Sequence, residues 1–178
     1  MSRLSTLRPE DATGPAADLF AKIRKAVGKV PNAYATIGTH SPATLGAALT
    51  NDAVLAGGKL KGADVEVVKL VVSQLVGCDY CLGAHTMIGR MQGLSDDAMK
   101  QVRAGIPSGD ARRDALARFV RVLTTTQGTV AKEEVDAVRA AGFSEQEIIE
   151  TLFAISTITF TNLVNRVNDT TLDFPAAP

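Results

Sequence analysis

The sequence predicts an all-α domain. Three observations carry that expectation. β-branched residues are common, but strict period-2 alternation is absent. Several helix starts are marked by side chains suited to capping. Glycines stand where those helices must end: Gly57, Gly58, Gly77, Gly93, Gly105, Gly128 and Gly142.

Taken in order, helices are expected at 14–27, 42–56, 62–76, 79–92, 95–103, 110–127, 131–141 and 145–167, with a short turn near Pro31-Asn32. Ser41-Pro42 supplies an N-cap followed by proline at the first helical position. Val65, Val67, Val68, Leu70, Val71, Val72, Leu75 and Val76 cover most of the circumference of the 62–76 helix, as a buried helix requires. Glu66, Lys69 and Ser73 form one narrow polar stripe on it. Leu94-Ser95-Asp96-Asp97 places two acids in a first turn, where the helix dipole favours them. Ser144 and Glu147 form a capping box, flanked by Phe143 and Ile148 as a hydrophobic staple. The tail from Thr170 to Pro178 is expected over the surface or on a neighbouring subunit.

The 178 residues are 46% hydrophobic and 21% charged, the composition of a globular protein. One domain over 1–178 is the expectation, because the only linker candidate, 105–110, is short. Lysine plus arginine equals aspartate plus glutamate, 19 each, so no net field selects nucleic acid or an anionic membrane. The N-terminal segment lacks a signal-like apolar core. The apolar stretches 65–76 and 152–164 fall short of a clean membrane span. The expectation is a soluble, cytoplasmic protein.

The only two cysteines, Cys78 and Cys81, stand three apart. A disulfide across two residues closes a tiny loop and adds little stability, so the pair points to chemistry rather than scaffolding. Gly77 ends one helix and the next begins at Cys78, where unpaired N–H groups and the positive dipole end favour a thiolate. Cys78, Cys81 and His85 share one helical face, and His85 stands one turn beyond Cys81, in reach of its proton. If the two helices fold back at Gly77, Glu66 lies about 16 Å from the turn and His85 about 12 Å. A carboxylate at that depth would orient the imidazole.

Glu66, Cys78-Asp79-Tyr80-Cys81 and His85 together resemble the signature of the alkylhydroperoxidase D (AhpD) family, within the carboxymuconolactone decarboxylase-like superfamily. The resemblance runs from about Pro31 to Arg90, the expected redox core. It resumes at 162–169 and 172–175. It implies an all-α, AhpD-like helical bundle that oligomerises; the helix apolar nearly all round and the exposed tail point to a trimer or a multiple of trimers. It also implies a thiol peroxidase or disulfide oxidoreductase needing no cofactor and no metal. Cys81 would attack the hydroperoxide, Cys78 would resolve the product, and His85 with Glu66 would relay the proton. The implied partners are a hydroperoxide or disulfide substrate and an external dithiol reductant, lipoyl- or thioredoxin-like. The best-studied enzymes carry a histidine just before the second cysteine, where this chain has Tyr80.

Two alternatives stand beside this reading. One is a dithiol–disulfide partner of another protein with little peroxidase activity of its own. The other is a helical oligomer with a regulatory thiol or zinc site, for which Glu66, Cys78, Cys81 and His85 are the available ligands. His40 is read as loop or cap chemistry. Asn162, Asn165 and Arg166 are read as helix-surface or subunit-contact residues.

Overall fold

The computed structural model describes residues 2–178, and among them nine α-helices and no strand. A short 3-10 turn, Pro9–Asp11, precedes α1 (Gly14–Val27), α2 (Asn32–His40) and α3 (Pro42–Ala56). Then come α4 (Gly62–Val76), α5 (Asp79–Met91), α6 (Asp96–Ala104) and α7 (Ala111–Thr125). The chain closes with α8 (Lys132–Ala140) and α9 (Glu145–Asn168).

The capping chemistry forms as the residues dictate. Ser41 Oγ accepts from the Thr44 N–H and Ser95 Oγ from the Ala98 N–H. Ser144 and Glu147 make both halves of the capping box. At Gly77, φ is +66° and ψ +48°, the left-handed conformation that a side chain would strain. That glycine lets the chain reverse within two residues.

One element differs from expectation. The Pro31-Asn32 turn opens a full helix, α2, whose weak helix formers Tyr34, Thr36, Gly38 and Thr39 give little local signal. Tertiary packing decides instead. Ala33, Ala35, Thr36, Ile37 and Gly38 are all buried. Gly38 admits the Phe20 ring and Leu45, since a Cβ there would stand 2.8 Å from Leu45 Cδ2.

Helix α4 is the central post, packed against α5, α7 and α9. Every residue from Ala63 to Ser73 is buried. Its apolar side chains join Leu116, Val120, Phe143, Ala154 and Ile158 in the main core. A second, smaller core of Phe20, Ile23, Ile37 and Leu45 joins α1, α2 and α3. At the N-terminal end of α4, buried Asp64 pairs with Arg112 and Arg113, and Arg112 also reaches Glu147 at 2.7 Å while stacking on Phe143.

The tail folds back over α5 and α2. Tyr80 Oη donates to Asp173 Oδ1 at 2.7 Å, and Phe174 meets the Tyr80 ring edge-on. Lys29 Nζ lies over the Phe174 ring, 4.3 Å from its centre. Helix α9 as a whole has the length and hydropathy of a membrane span, more than the 152–164 stretch suggests. Its inner face carries buried Thr151, Thr157, Asn162, Asn165 and Asn168 against the protein interior.

Candidate active site

The α4–α5 reversal places Glu66 beside His85, as the depth estimate requires. Glu66 Oε2 lies 2.7 Å from His85 Nδ1, with both side chains largely buried. With Nδ1 donating to the carboxylate, Nε2 is the nitrogen left to take a proton. Apolar residues surround Glu66 on α4, so its partner is a requirement of burial as much as of chemistry.

Both thiols are free and buried. Cys78 is the N-cap of α5, so its sulfur stands at the positive end of that helix. The Cys81 thiol beside it lowers the Cys78 thiol to about 7, against the opposing effect of burial. The Cys81 backbone N–H and the Asn162 amide act in the same direction. Cys81 is pushed well above the ordinary thiol range by Cys78 and by burial. One proton is thus lost easily and the second with difficulty, and the two sulfurs titrate as a unit.

Asn162 and Asn165 are not surface residues. Both are buried, one turn apart on the inner face of α9. Asn165 Nδ2 donates to Cys81 Sγ at 3.3 Å, and Asn162 Nδ2 donates to Ser73 Oγ at 3.1 Å. Each leaves Oδ1 buried without a partner among the described residues, at a cost of about 1–3 kcal/mol apiece. Such a cost is characteristic of side chains kept for the work of their amide ends. The signal in the sequence was the i, i+3, i+6 spacing of Asn162, Asn165 and Asn168 along an otherwise apolar helix. Arg166 is exposed, as expected.

Asn168 serves the N-terminal segment instead, accepting from the Leu4 N–H at 2.7 Å and donating to Thr36 Oγ1. His40 ends α2 and bonds the Ser5 carbonyl through Nε2 at 2.7 Å, a structural contact away from the thiols. Tyr80, in place of histidine, accepts the Ala33 N–H at 3.2 Å and holds the tail through Asp173. Burial, chiefly, raises its hydroxyl above the ordinary tyrosine range. It is an anchor and not a base.

A cavity of about 700 Å³ opens beside the thiols. Cys81 and His85 line it, with Ile88, Met91, Ile158 and Phe174 among its apolar walls. Cys78 does not. A molecule in the cavity therefore meets the second sulfur and not the first. Tyr34, Asp52 and Lys69 form its polar corner: Lys69 Nζ bonds Asp52 Oδ1 at 2.9 Å and Tyr34 Oη donates to Asp52 Oδ2 at 3.1 Å. The polar stripe of α4 is accordingly shared out, Glu66 to His85, Lys69 to this corner and Ser73 to Asn162. Among the described residues no group of three or more His, Cys, Asp and Glu side chains is arranged to hold a metal ion.

Comparison with known proteins agrees with this architecture. Residues 43–121, which include both cysteines, Glu66 and His85, match the carboxymuconolactone decarboxylase family. No curated protein matches the chain in sequence. An AhpD-core, peroxidase-related protein of Ralstonia eutropha JMP134 superposes with a TM-score of 0.84 at 20% identity, over 97% of this chain and 92% of that one. A peroxidase-related protein of Silicibacter sp. TM1040 gives 0.81 at 20% identity, over 96% and 94%. The debrominase Bmp8, as a cysteine-to-alanine variant in complex with 2,3,4-tribromopyrrole, gives 0.78 at 18% identity, over 97% and 92%. Residues 43–121 thus carry the carboxymuconolactone decarboxylase family pattern, and the chain as a whole has the fold of these AhpD-core structures.

Proposed function

We propose that the protein is a thiol-dependent hydroperoxidase that works through the Cys78/Cys81 pair. The observation that carries this reading is the meeting of Cys81 and His85 on one cavity wall, with Glu66 holding His85 from behind. The proton that Cys78 gives up readily is the means of activation. Passing the remaining proton from Cys81 to Cys78 puts the thiolate on the cavity-facing sulfur, where the Asn165 amide donates to it.

The Cys81 thiolate attacks the terminal oxygen of a hydroperoxide. A sulfur–oxygen bond forms and the O–O bond breaks. Cys81 becomes a sulfenic acid and the alkoxide leaves. The alkoxide takes a proton through His85, made good by the Cys78 thiol, and departs as an alcohol, which leaves Cys78 a thiolate. Cys78, as thiolate, then attacks the Cys81 sulfur, forming the disulfide and releasing hydroxide, which is protonated to water. An external dithiol returns two electrons and two protons by exchange.

The apolar cavity and the likeness to a debrominase favour one further reading of the same pair. Cys81 would attack the bromine of an electron-rich bromoarene, the released carbanion would be protonated, and Cys78 would displace bromide to form the disulfide. Bromide release from a bromopyrrole in the presence of a dithiol separates the two reactions.

Stopped-flow consumption of cumene hydroperoxide with dihydrolipoamide as reductant tests the first reading. Cys81→Ser is expected to abolish turnover, and Cys78→Ser, with the dithiol left out, to consume one equivalent and leave a trappable sulfenic acid. Peroxide consumption by Cys81→Ser at the parent rate would refute it. The protein is further proposed to work in the cytoplasm, where a reducing poise keeps such thiols free. It is also proposed to assemble as a trimer or a multiple of trimers, using exposed Ile149, Leu152, Leu163 and Val167 on the outer face of α9. Light scattering coupled to size exclusion reads that directly.

A further inference from the structure

We propose that the Tyr34–Asp52–Lys69 corner is the head-group site of the cavity, and that it selects uncharged, largely apolar substrates bearing one oxygen acceptor over anionic ones. This inference deepens the hydroperoxidase reading and rests on Cys81 facing the same cavity.

The cavity is of the size that holds a small organic ligand, and most of its walls are aliphatic or aromatic. Polar groups in such a site fix orientation and specificity more than they add affinity. Lys69 is the cation among the lining residues, and its side chain is only 10% exposed. Its ammonium has three N–H donors and one acceptor among the described residues, Asp52. Two donors therefore remain for a ligand.

The charge of that ammonium is already spent. Asp52 neutralises it at 2.9 Å, and Tyr34 Oη secures the other carboxylate oxygen. Tyr34 itself stays protonated, because burial and then the Asp52 charge hold its hydroxyl above the ordinary range. Glu66, one helical turn before Lys69, adds a further carboxylate whose charge also acts on the Tyr34 hydroxyl. A carboxylate-bearing ligand would thus lose its hydration in an apolar chamber with no uncompensated cation to receive it. A carbonyl, hydroxyl or neutral hydroperoxide oxygen faces no such loss. It accepts from the ammonium and leaves the Asp52 pair in place.

Three ligands with one apolar frame test this by isothermal titration on the reduced protein without peroxide: 4-acetylbiphenyl, 4-ethylbiphenyl and biphenyl-4-carboxylate. The ketone is expected to bind about tenfold more tightly than the hydrocarbon, the increment of a hydrogen bond to a charged donor, and more tightly than the carboxylate. In Lys69→Met/Asp52→Asn, which leaves no orphan charge, the ketone should fall to the level of the hydrocarbon while the hydrocarbon binds as before. Unchanged hydrocarbon binding also shows that the cavity remains folded. Equal binding of ketone and hydrocarbon, tightest binding of the carboxylate, a ketone advantage that survives the double variant, or no binding of any of the three overturns the assignment. Because no turnover is involved, these results are independent of the Cys81→Ser experiment. Loss of head-group selectivity with peroxide consumption intact removes only this inference, and selectivity without consumption removes only the redox reading.

Discussion

Replacing Cys81 by alanine removes the group that does most to acidify Cys78. The Cys78 thiol stands at about 7 against an ordinary 9.0, and the Cys81 side chain is the first cause. At pH 7 a thiol of pKa about 7 is roughly half ionised, whereas one at 9 is roughly 1% ionised. Burial still opposes the charged form in the variant, so the Cys78 inflection should move to 9 or above. The thiolate fraction at pH 7 should fall by about 50-fold. In the parent, thiolate ultraviolet absorbance should rise with pH through about 7 to a plateau of one thiolate. It should not reach a second below the alkaline limit, since Cys81 is pushed up. Tyr34 and Tyr80 are both raised above 10.0, so tyrosinate absorbance stays out of the window. Cys78→Ala should leave no inflection near neutrality. A Cys81→Ala protein that still titrates near 7 would show that the helix start, and not the thiol pair, sets the acidity.

Three other outcomes follow from the packing and the site. Glu66→Gln keeps the shape of the partner but not its charge, and should slow peroxide consumption by roughly 100-fold in stopped flow with an unchanged circular dichroism spectrum. Asp64→Ala strips two arginines of a carboxylate that is 1% exposed. Because both arginines are about one-third exposed, the loss should be about 2–3 kcal/mol rather than the full cost of a buried orphan charge, read from urea unfolding. Gly38→Ala drives a methyl into Phe20 and Leu45 and should lower the unfolding free energy by about 1–3 kcal/mol.

The parts of the molecule written in local chemistry were the parts legible beforehand. The Gly77 reversal, the capping box at Ser144 and the polar stripe of α4 are each set by residues within a turn or two of one another. The Glu66–His85 contact follows from them, because an antiparallel pair of regular helices leaves little freedom in depth. Helix α2 was hidden because its tendency to form is not local. Apart from Ala33 and Ala35 its residues are weak helix formers, held by α1 and α3. Asn162 and Asn165 were misplaced for a related reason. A polar residue on an apolar helix has the same pattern whether it faces solvent or a thiol, and only the partner across 84 residues, Cys81, tells the two apart. The Lys69–Asp52–Tyr34 corner draws on three helices, α4, α3 and α2, one of them unseen in the sequence.

Gly83 lies on α5 just past Cys81, and a Cβ there would stand 2.9 Å from the Pro175 carbonyl oxygen. The bare backbone at that position is what allows the tail to lie flat and to set Phe174 into the cavity wall. The chamber therefore has two kinds of boundary. Its reactive side belongs to buried helices, where any change of volume is felt throughout the core. Its Phe174 side belongs to an appendage held by Tyr80, Lys29 and a few hydrogen bonds. Changes in the tail can widen or narrow the chamber while the sulfur chemistry keeps its setting, so in this architecture the range of molecules admitted and the reaction performed on them are free to diverge separately.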